Sequence, residues 1–461
     1  MANSIVEVDV SVTAAPTPAS LQRTGALISQ GATTATVGDY KLLTQYSDLA
    51  SLLIAPLDLQ SLTWSGGTVT ATAVANLAAN VSTGDTFPVT ISGASPAGYN
   101  GTFLATVTGA DTFTYALSAN PGTETAPGTY TAPGVVELQQ MAQTFFAQGA
   151  QMSVYVLELG AGDAASGVTQ LTSFITANPS TIYAYLIPRS WDSEPTFLSF
   201  LSGYTGVTAM TYFFVTTTVA SYTQYSSTEK CVVALVESPD APLTEFSCAA
   251  ALWSALHYDP SSTNKVTPFA FSFLSGVTAY PVKGNSATLA ALNGAHVNYV
   301  AVASEGGLTN TMLAWGTTLD GRDFTYWYSV DWAQINLGRA IANAVINGSN
   351  NALNPLYFNQ DGINRLQDVV AATLQSAVTY GLSIGTVVRS SLSGPAFTQA
   401  LDAGTYDGDD VVNAVPFADY VAANPGDYKI GKYAGLSAVY IPARGFLQIV
   451  FTLNVTDFLS Q

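Results

Sequence analysis

Val6, Val8, Val10 and Val12 alternate with Glu7, Asp9 and Ser11 near the start of the chain, a period of two that predicts a strand with one buried face. Near the other end, Leu447, Ile449, Phe451, Leu453 and Val455 alternate with mostly polar neighbours and predict a second solitary strand. The first strand runs into Ala14-Ala15-Pro16-Thr17-Pro18, a stiff extended segment that cannot continue a ladder. A strand on a stiff arm is suited to joining a neighbour's sheet through main-chain hydrogen bonds. It can equally complete the chain's own sheet.

From residue 135 to 303 the period switches repeatedly between helix and strand. Val135, Leu138, Ala142 and Phe145 mark one helix face, and helices are also expected at 168–176, 243–258 and 287–295. Short apolar strands are expected at 153–159, 181–187, 211–216, 231–236, 269–273 and 297–303. Strands alternating with helices predict an α/β unit with a largely parallel sheet covered on both sides.

Residues 62–131 lack any helix period, are rich in Thr, Gly and Ala, and contain no Lys, Arg or His. Strands at 87–91, 102–108 and 112–117, with Gly109-Ala110-Asp111 as a hairpin turn, predict a small all-β insertion. Past residue 320 a helix is expected from about Asp331, with Leu337, Ile341 and Val345 on one stripe. A second spans 361–378 with a seam of Ile363, Leu366, Val370, Leu374 and Ala377, and β-rich chain is expected after Gly381. The expected fold is a multidomain α+β chain. An α/β sheet body (21–61 and 132–319) carries an inserted β-sandwich-like surface domain (62–131), followed by a C-terminal α+β core domain (320–435). Strand arms at 1–20 and 436–461 complete it.

Charge changes the picture of partners. With 31 acidic and 13 basic residues the formal net charge is −18, which disfavours nucleic acid and anionic lipid. Residues 321–461 hold 7 of the 13 basic residues, so an acidic partner is better received there. No apolar run approaches a membrane span and no basic n-region precedes an apolar stretch, so a soluble protein made in a cytoplasm is expected. Two cysteines, Cys231 and Cys248, and two histidines, His257 and His296, have no zinc-site spacing.

Candidate chemistry is sparse. Gly160-Ala161-Gly162-Asp163-Ala164-Ala165 has the spacing of a dinucleotide-binding turn between a strand and a helix. Asp163, however, places a carboxylate where a phosphate would sit. Asp407, Asp409 and Asp410 form an acidic loop without EF-hand spacing, read as a solvated turn rather than a Ca²⁺ site. The aromatic run Phe324, Tyr326, Trp327 and Tyr328 reads as packing. No catalytic residue, cofactor or metal ligand is assigned.

The arrangement resembles the contractile tail sheath proteins of bacteriophages. The residues carrying this are Gly321-Arg322-Asp323-Phe324 through Trp327, the helices at 331–347 and 361–378, and Tyr440-Ile441-Pro442-Ala443 before the terminal strand. Ile5–Val12 matches the family's other arm, and the insertion looks like the β modules that decorate phage virion proteins. The resemblance implies hexameric rings stacked helically around a tail tube, in a virion assembled in the host cytoplasm. It implies baseplate and tail-terminator partners, no cofactor, and arms (Val6, Val8, Val10, Val12; Leu447, Ile449, Phe451, Leu453, Val455) inserted into neighbouring subunits. Contraction would then drive the tube through the host envelope. Arg339 and Arg365, on the C-terminal helices, are candidate tube contacts. Two other readings stay open: another self-assembling virion or surface-layer protein, and a nucleotide-dependent α/β enzyme.

Overall fold

The computed structural model describes residues 20–77, 81–149, 152–206, 208–225, 229–302 and 309–447. The chain enters through β1 (Gly25–Ser29), whose five residues are all buried, and β2 (Tyr40–Leu43), which is mostly exposed. It then leaves the body for six strands: β3 (Leu57–Ser65), β4 (Thr68–Ala73), β5 (Thr86–Ser92), β6 (Gly101–Val107), β7 (Thr112–Ala116) and β8 (Thr129–Tyr130). These close in the order β3-β4-β7-β6-β5-β8.

The insertion is therefore a barrel and not the sandwich-like pair of sheets expected, and its first strand begins at Leu57 rather than after residue 61. Strand β8 supplies the reason: its two residues pair with both β3 and β5 and abolish the edges a sandwich would leave. Leu59, Val69, Phe87, Val89, Phe113, Tyr115 and Tyr130 fill the interior. Leu57 is the register partner of Tyr130, so the two ends of the insertion lie about 5 Å apart. Replacing 57–130 by a short Gly/Ser link from Pro56 to Thr131 is thus expected to leave a soluble, folded remainder. Circular dichroism and a single thermal transition check this; insoluble protein assigns the barrel to the core.

Back in the body come α1 (Pro133–Phe146), β9 (Val154–Glu158), α2 (Ala164–Ala177), β10 (Ala184–Leu186), α3 (Pro195–Leu201), β11 (Tyr212–Thr217) and β12 (Val232–Val236). Then follow α4 (Ser247–Leu256), α5 (Ser286–Gly294), β13 (Asn298–Val302) and β14 (Thr311–Ala314). One eight-stranded sheet results, ordered β14-β13-β12-β11-β10-β1-β9-β2. Its six inner strands are parallel and its edges, β2 and β14, antiparallel. Strand alternation divides the apolar residues between two cores. Leu27, Tyr212, Phe214 and Val233 face α1 and α4, whereas Ala26, Ile28, Phe213 and Val215 face α2 and α3. The strand expected at 269–273 does not form. Phe271 adopts φ 61, which interrupts the extended chain and leaves only an isolated bridge from Phe273 to Met312.

The C-terminal block holds α6 (Phe324–Ser349), α7 (Gln360–Thr379), β15 (Thr386–Ser390), α8 (Gly394–Asp402), β16 (Asp409–Ala414), α9 (Phe417–Ala423), α10 (Pro425–Lys429) and β17 (Leu436–Val439). Helix α6 starts seven residues before the expected Asp331, because Asp323 caps it by accepting from Thr325 N. At 26 residues it spans about 39 Å. Its first half is buried in the body core, and Leu337 and Ile341 pack on the separate cluster of Val370, Leu374 and Val412. One rigid rod thus joins two cores. The three-stranded sheet β15-β16-β17 includes Leu436–Val439, placed by sequence in the outgoing arm: Leu436 packs on Val412's cluster and keeps the strand at home.

Candidate functional site

In a doubly wound sheet, ligands bind beyond the carboxyl ends of the strands where the order reverses. Here that point lies between β1 and β10, and the chain's own side chains fill it. Gln30 donates to the carbonyls of Gly162 and Asp163 and accepts from Trp191 Nε1 at 2.7 Å; Trp191 is fully buried. A Cβ on Gly167 would lie 2.5 Å from both Gln30 and Trp191, so α2 is packed directly on this plug.

Several of the amides that could cradle a phosphate are also taken. Glu158, 2% exposed, accepts from Gly31 N and Gly160 N at 2.7 Å, and from Ser29 Oγ, Thr33 Oγ1 and Thr33 N. Asp163 caps α2 by accepting from Ser166 N, which holds its carboxyl below the usual range. The Gly160–Ala165 turn is therefore a sealed βα connection.

His257 closes α4, sharing a hydrogen bond with the Ser254 carbonyl and stacking on Trp253; burial lowers its pKa. The acidic loop differs from the expected solvated turn. Asp410 is fully buried, accepting from Ser383 Oγ at 2.6 Å and Ile441 N at 2.9 Å. Asp323 Oδ2 similarly accepts from Gly445 N at 2.8 Å, and Ala443 N donates to the Leu382 carbonyl. Desolvation raises the pKa of both aspartates. Two buried carboxylates thus pin residues 441–445 to the start of α6 and to β16. Gly445 is required by close approach, since a Cβ there would meet Pro268 at 2.7 Å.

This anchored root is where the C-terminal arm leaves the domain. Leu447 is half-buried and is not in a strand. Ile449, Phe451, Leu453 and Val455, like Val6, Val8, Val10 and Val12, lie outside the described residues. Among the described residues, the outer edges of β15 and β17 pair with no strand.

The two candidate cations differ. Arg339 is exposed and, among the described residues, donates to Asn336 Oδ1 on its own helix. Arg365 donates to the carbonyls of Pro355 and Asn354 and so braces the α6–α7 loop, whose Leu353 is 98% exposed.

Sequence reasoning also missed the polar joint beneath α6. Asp331, fully buried, accepts from the hydroxyls of Tyr183 and Tyr212, each at 2.8 Å. Lys230 lies over the Trp327 ring at 4.5 Å and donates to the Ala209 carbonyl. Burial raises Asp331 to about 7 from 3.8, opposed by Lys230 and the two hydroxyls. The folded state then holds this proton more tightly than the unfolded one. Asp331 therefore lowers stability as pH rises from about 4 to about 7, with no further loss above. Asp331→Asn is expected to flatten that slope, faring better relative to wild type at pH 8 than at pH 5. Urea titrations at the two pH values measure it; identical differences remove Asp331 as the source.

Three aligned solved structures share this fold over 99% of the chain. A chain of the anti-feeding prophage (AFP) baseplate, 6-fold symmetrised, aligns at TM-score 0.53 and 11% identity, covering 99% of each chain. A chain of the AFP helical sheath in its contracted state aligns at 0.50 and 12%, again over 99% of each. One from the AFP baseplate in its contracted state gives 0.50 and 13%, over 99% of this chain and 100% of that one. No family model and no curated protein matches the sequence. The chain thus has a fold shared with subunits of contractile sheath and baseplate assemblies, at identities where shape alone is informative.

Proposed function

We propose that this chain is a structural subunit of a contractile tail sheath, polymerising as hexameric rings around a tail tube and shortening to drive the tube through a host envelope. The observation that supports this reading most is the end-to-end correspondence with a chain of the AFP helical sheath in its contracted state, over 99% of each chain. The outer edges of β15 and β17, unpaired among the described residues, support strand addition by neighbours' terminal arms, which would complete the C-terminal sheet while leaving each body intact. The continuous α6 supports near-rigid movement of body and C-terminal block together. The α6–α7 hairpin, with Arg339 exposed and Arg365 bracing the loop, is the proposed tube-facing element. Baseplate and terminator proteins would bound the polymer, within a phage or prophage tail. The barrel lies outside the contracting core.

The function needs no bound cofactor: energy would be stored in a metastable lattice and released as added interface burial. Negative-stain microscopy of the protein, alone and with candidate tube protein, tests the proposal. Hollow tubes or stacked rings with six-fold averages support it. Uniform small particles in both conditions overturn it.

A further inference from the structure

A rigid cationic knob stands at the far end of the C-terminal block. Phe358 sits at the centre of Phe417, Tyr428, Tyr433 and Tyr420, with ring centroids 5.4–6.4 Å away. Tyr420 donates to Asp427 Oδ2 and Tyr433 to the Val415 carbonyl. Ile430, Gly431 and Lys432 fold back by donating their amides to the carbonyls of Asp427 and Tyr428. Gly431, at φ 74, makes the turn. On this base Ile430 is 75% exposed and Tyr428 45%, flanked by exposed Lys429 and Lys432. Neither lysine is in an ion pair among the described residues. An exposed apolar tip between two cations, held in one conformation, has little ordering entropy left to lose on docking.

The body carries a surface of opposite sign. Beyond the carboxyl ends of β10–β12 lies a cleft of about 290 Å³, walled by Asp192, Thr217, Val219, Glu237, Pro239 and Tyr280. Arg189, also on its wall, is already committed: it pairs with Glu237 at 2.8 Å and donates to Gln140 Oε1 and the Glu245 carbonyl. Asp192 accepts from the Tyr225 hydroxyl at 3.0 Å but is in no ion pair among the described residues, and Val219, also on the wall, is 44% exposed.

We infer that the Tyr428–Lys432 knob of one copy seats in the Asp192–Val219 cleft of a second copy, Ile430 entering the cleft and the lysines lying on the side of Asp192. A chain of net charge −18 repels its own copies except where such cations meet carboxylates. Knob and cleft are different surfaces, so the contact is heterologous and each copy can both give and receive. The inference rests on the self-assembling reading above and specifies one of its contacts.

Sedimentation velocity of the full-length protein, across concentration at low and high salt, tests it. Lys429→Glu/Lys432→Glu spoils only the knob, and Val219→Arg blocks only the cleft; all three residues are exposed. Each variant alone is expected to associate roughly tenfold more weakly than wild type or worse. Ile430→Asp, altering only the exposed tip, is expected to do the same. Mixing the knob variant with the cleft variant leaves one intact knob–cleft pair, and is expected to restore 1:1 association that neither variant shows alone. A variant that associates like wild type, a mixture that stays monomeric, or wild type that never self-associates overturns the inference. Tubes that persist with tube protein in the knob variant remove this contact and leave the sheath reading standing. Intact knob-dependent dimers without tubes do the reverse.

Discussion

Replacing Phe324 with alanine is expected to destabilise the protein by about 3–5 kcal/mol, the range for emptying a buried phenylalanine site. Its side chain is fully buried, and its ring centroid lies 5.0 Å from Tyr212, 5.1 Å from Phe269 and 6.0 Å from Phe214. Those neighbours come from the sheet and from the 269–274 segment, so little can move to close the cavity. Phe324 is also the first residue of α6, the rod that enters both cores. Loosening its root is expected to separate the unfolding of the C-terminal block from that of the body, giving two transitions in calorimetry where one is expected for wild type. Phe324→Leu retains most of the volume and is expected to cost under about 1.5 kcal/mol. A loss below 1 kcal/mol for the alanine variant, measured in urea, would contradict this account of the joint.

Deleting residues 1–15 is expected to abolish long assemblies while leaving a folded, soluble protein. The physical basis is at the receiving end: among the described residues the outer edges of β15 and β17 pair with no strand, so an added strand would satisfy donors and acceptors along its length. The body's stability is expected to be unchanged. Thermal melts and electron microscopy of the truncated protein, with tube protein present, read the two effects separately. Normal tubes from the truncated chain would remove the N-terminal arm from the mechanism.

Legibility in the sequence followed the kind of interaction involved. The apolar strands at 154–158, 212–217 and 232–236 were readable because two-sided burial leaves an unbroken hydrophobic run. The seam of α7 was readable because one face meets a core, with Ile363, Val370, Leu374 and Ala377 all buried. Asp163 was readable as an obstacle to phosphate, and it caps α2. The early start of α6 was not: Phe324–Tyr328 has no strong helix propensity, and tertiary packing of the aromatic rings overrides it. Helices α8 and α10 were passed over in a stretch read as β-rich, although Pro395 and Pro425 in their first turns were usable signals.

By itself, the sequence determined the α/β body, the all-β character of the insertion, the helical hairpin and the acidic surface, because periodicity and composition are local quantities. Only the tertiary structure decided that the insertion closes into a barrel, that Glu158, Gln30 and Trp191 seal the switch-point crevice, and that Asp331 joins α6 to the sheet. It alone placed Asp323 and Asp410 on the root of the C-terminal segment. Each of these joins residues distant along the chain, 127 positions apart for Gly31 and Glu158 and 148 for Tyr183 and Asp331. Long-range pairing of polar groups leaves no periodic trace, since one hydrogen bond fixes one residue and asks nothing of its neighbours.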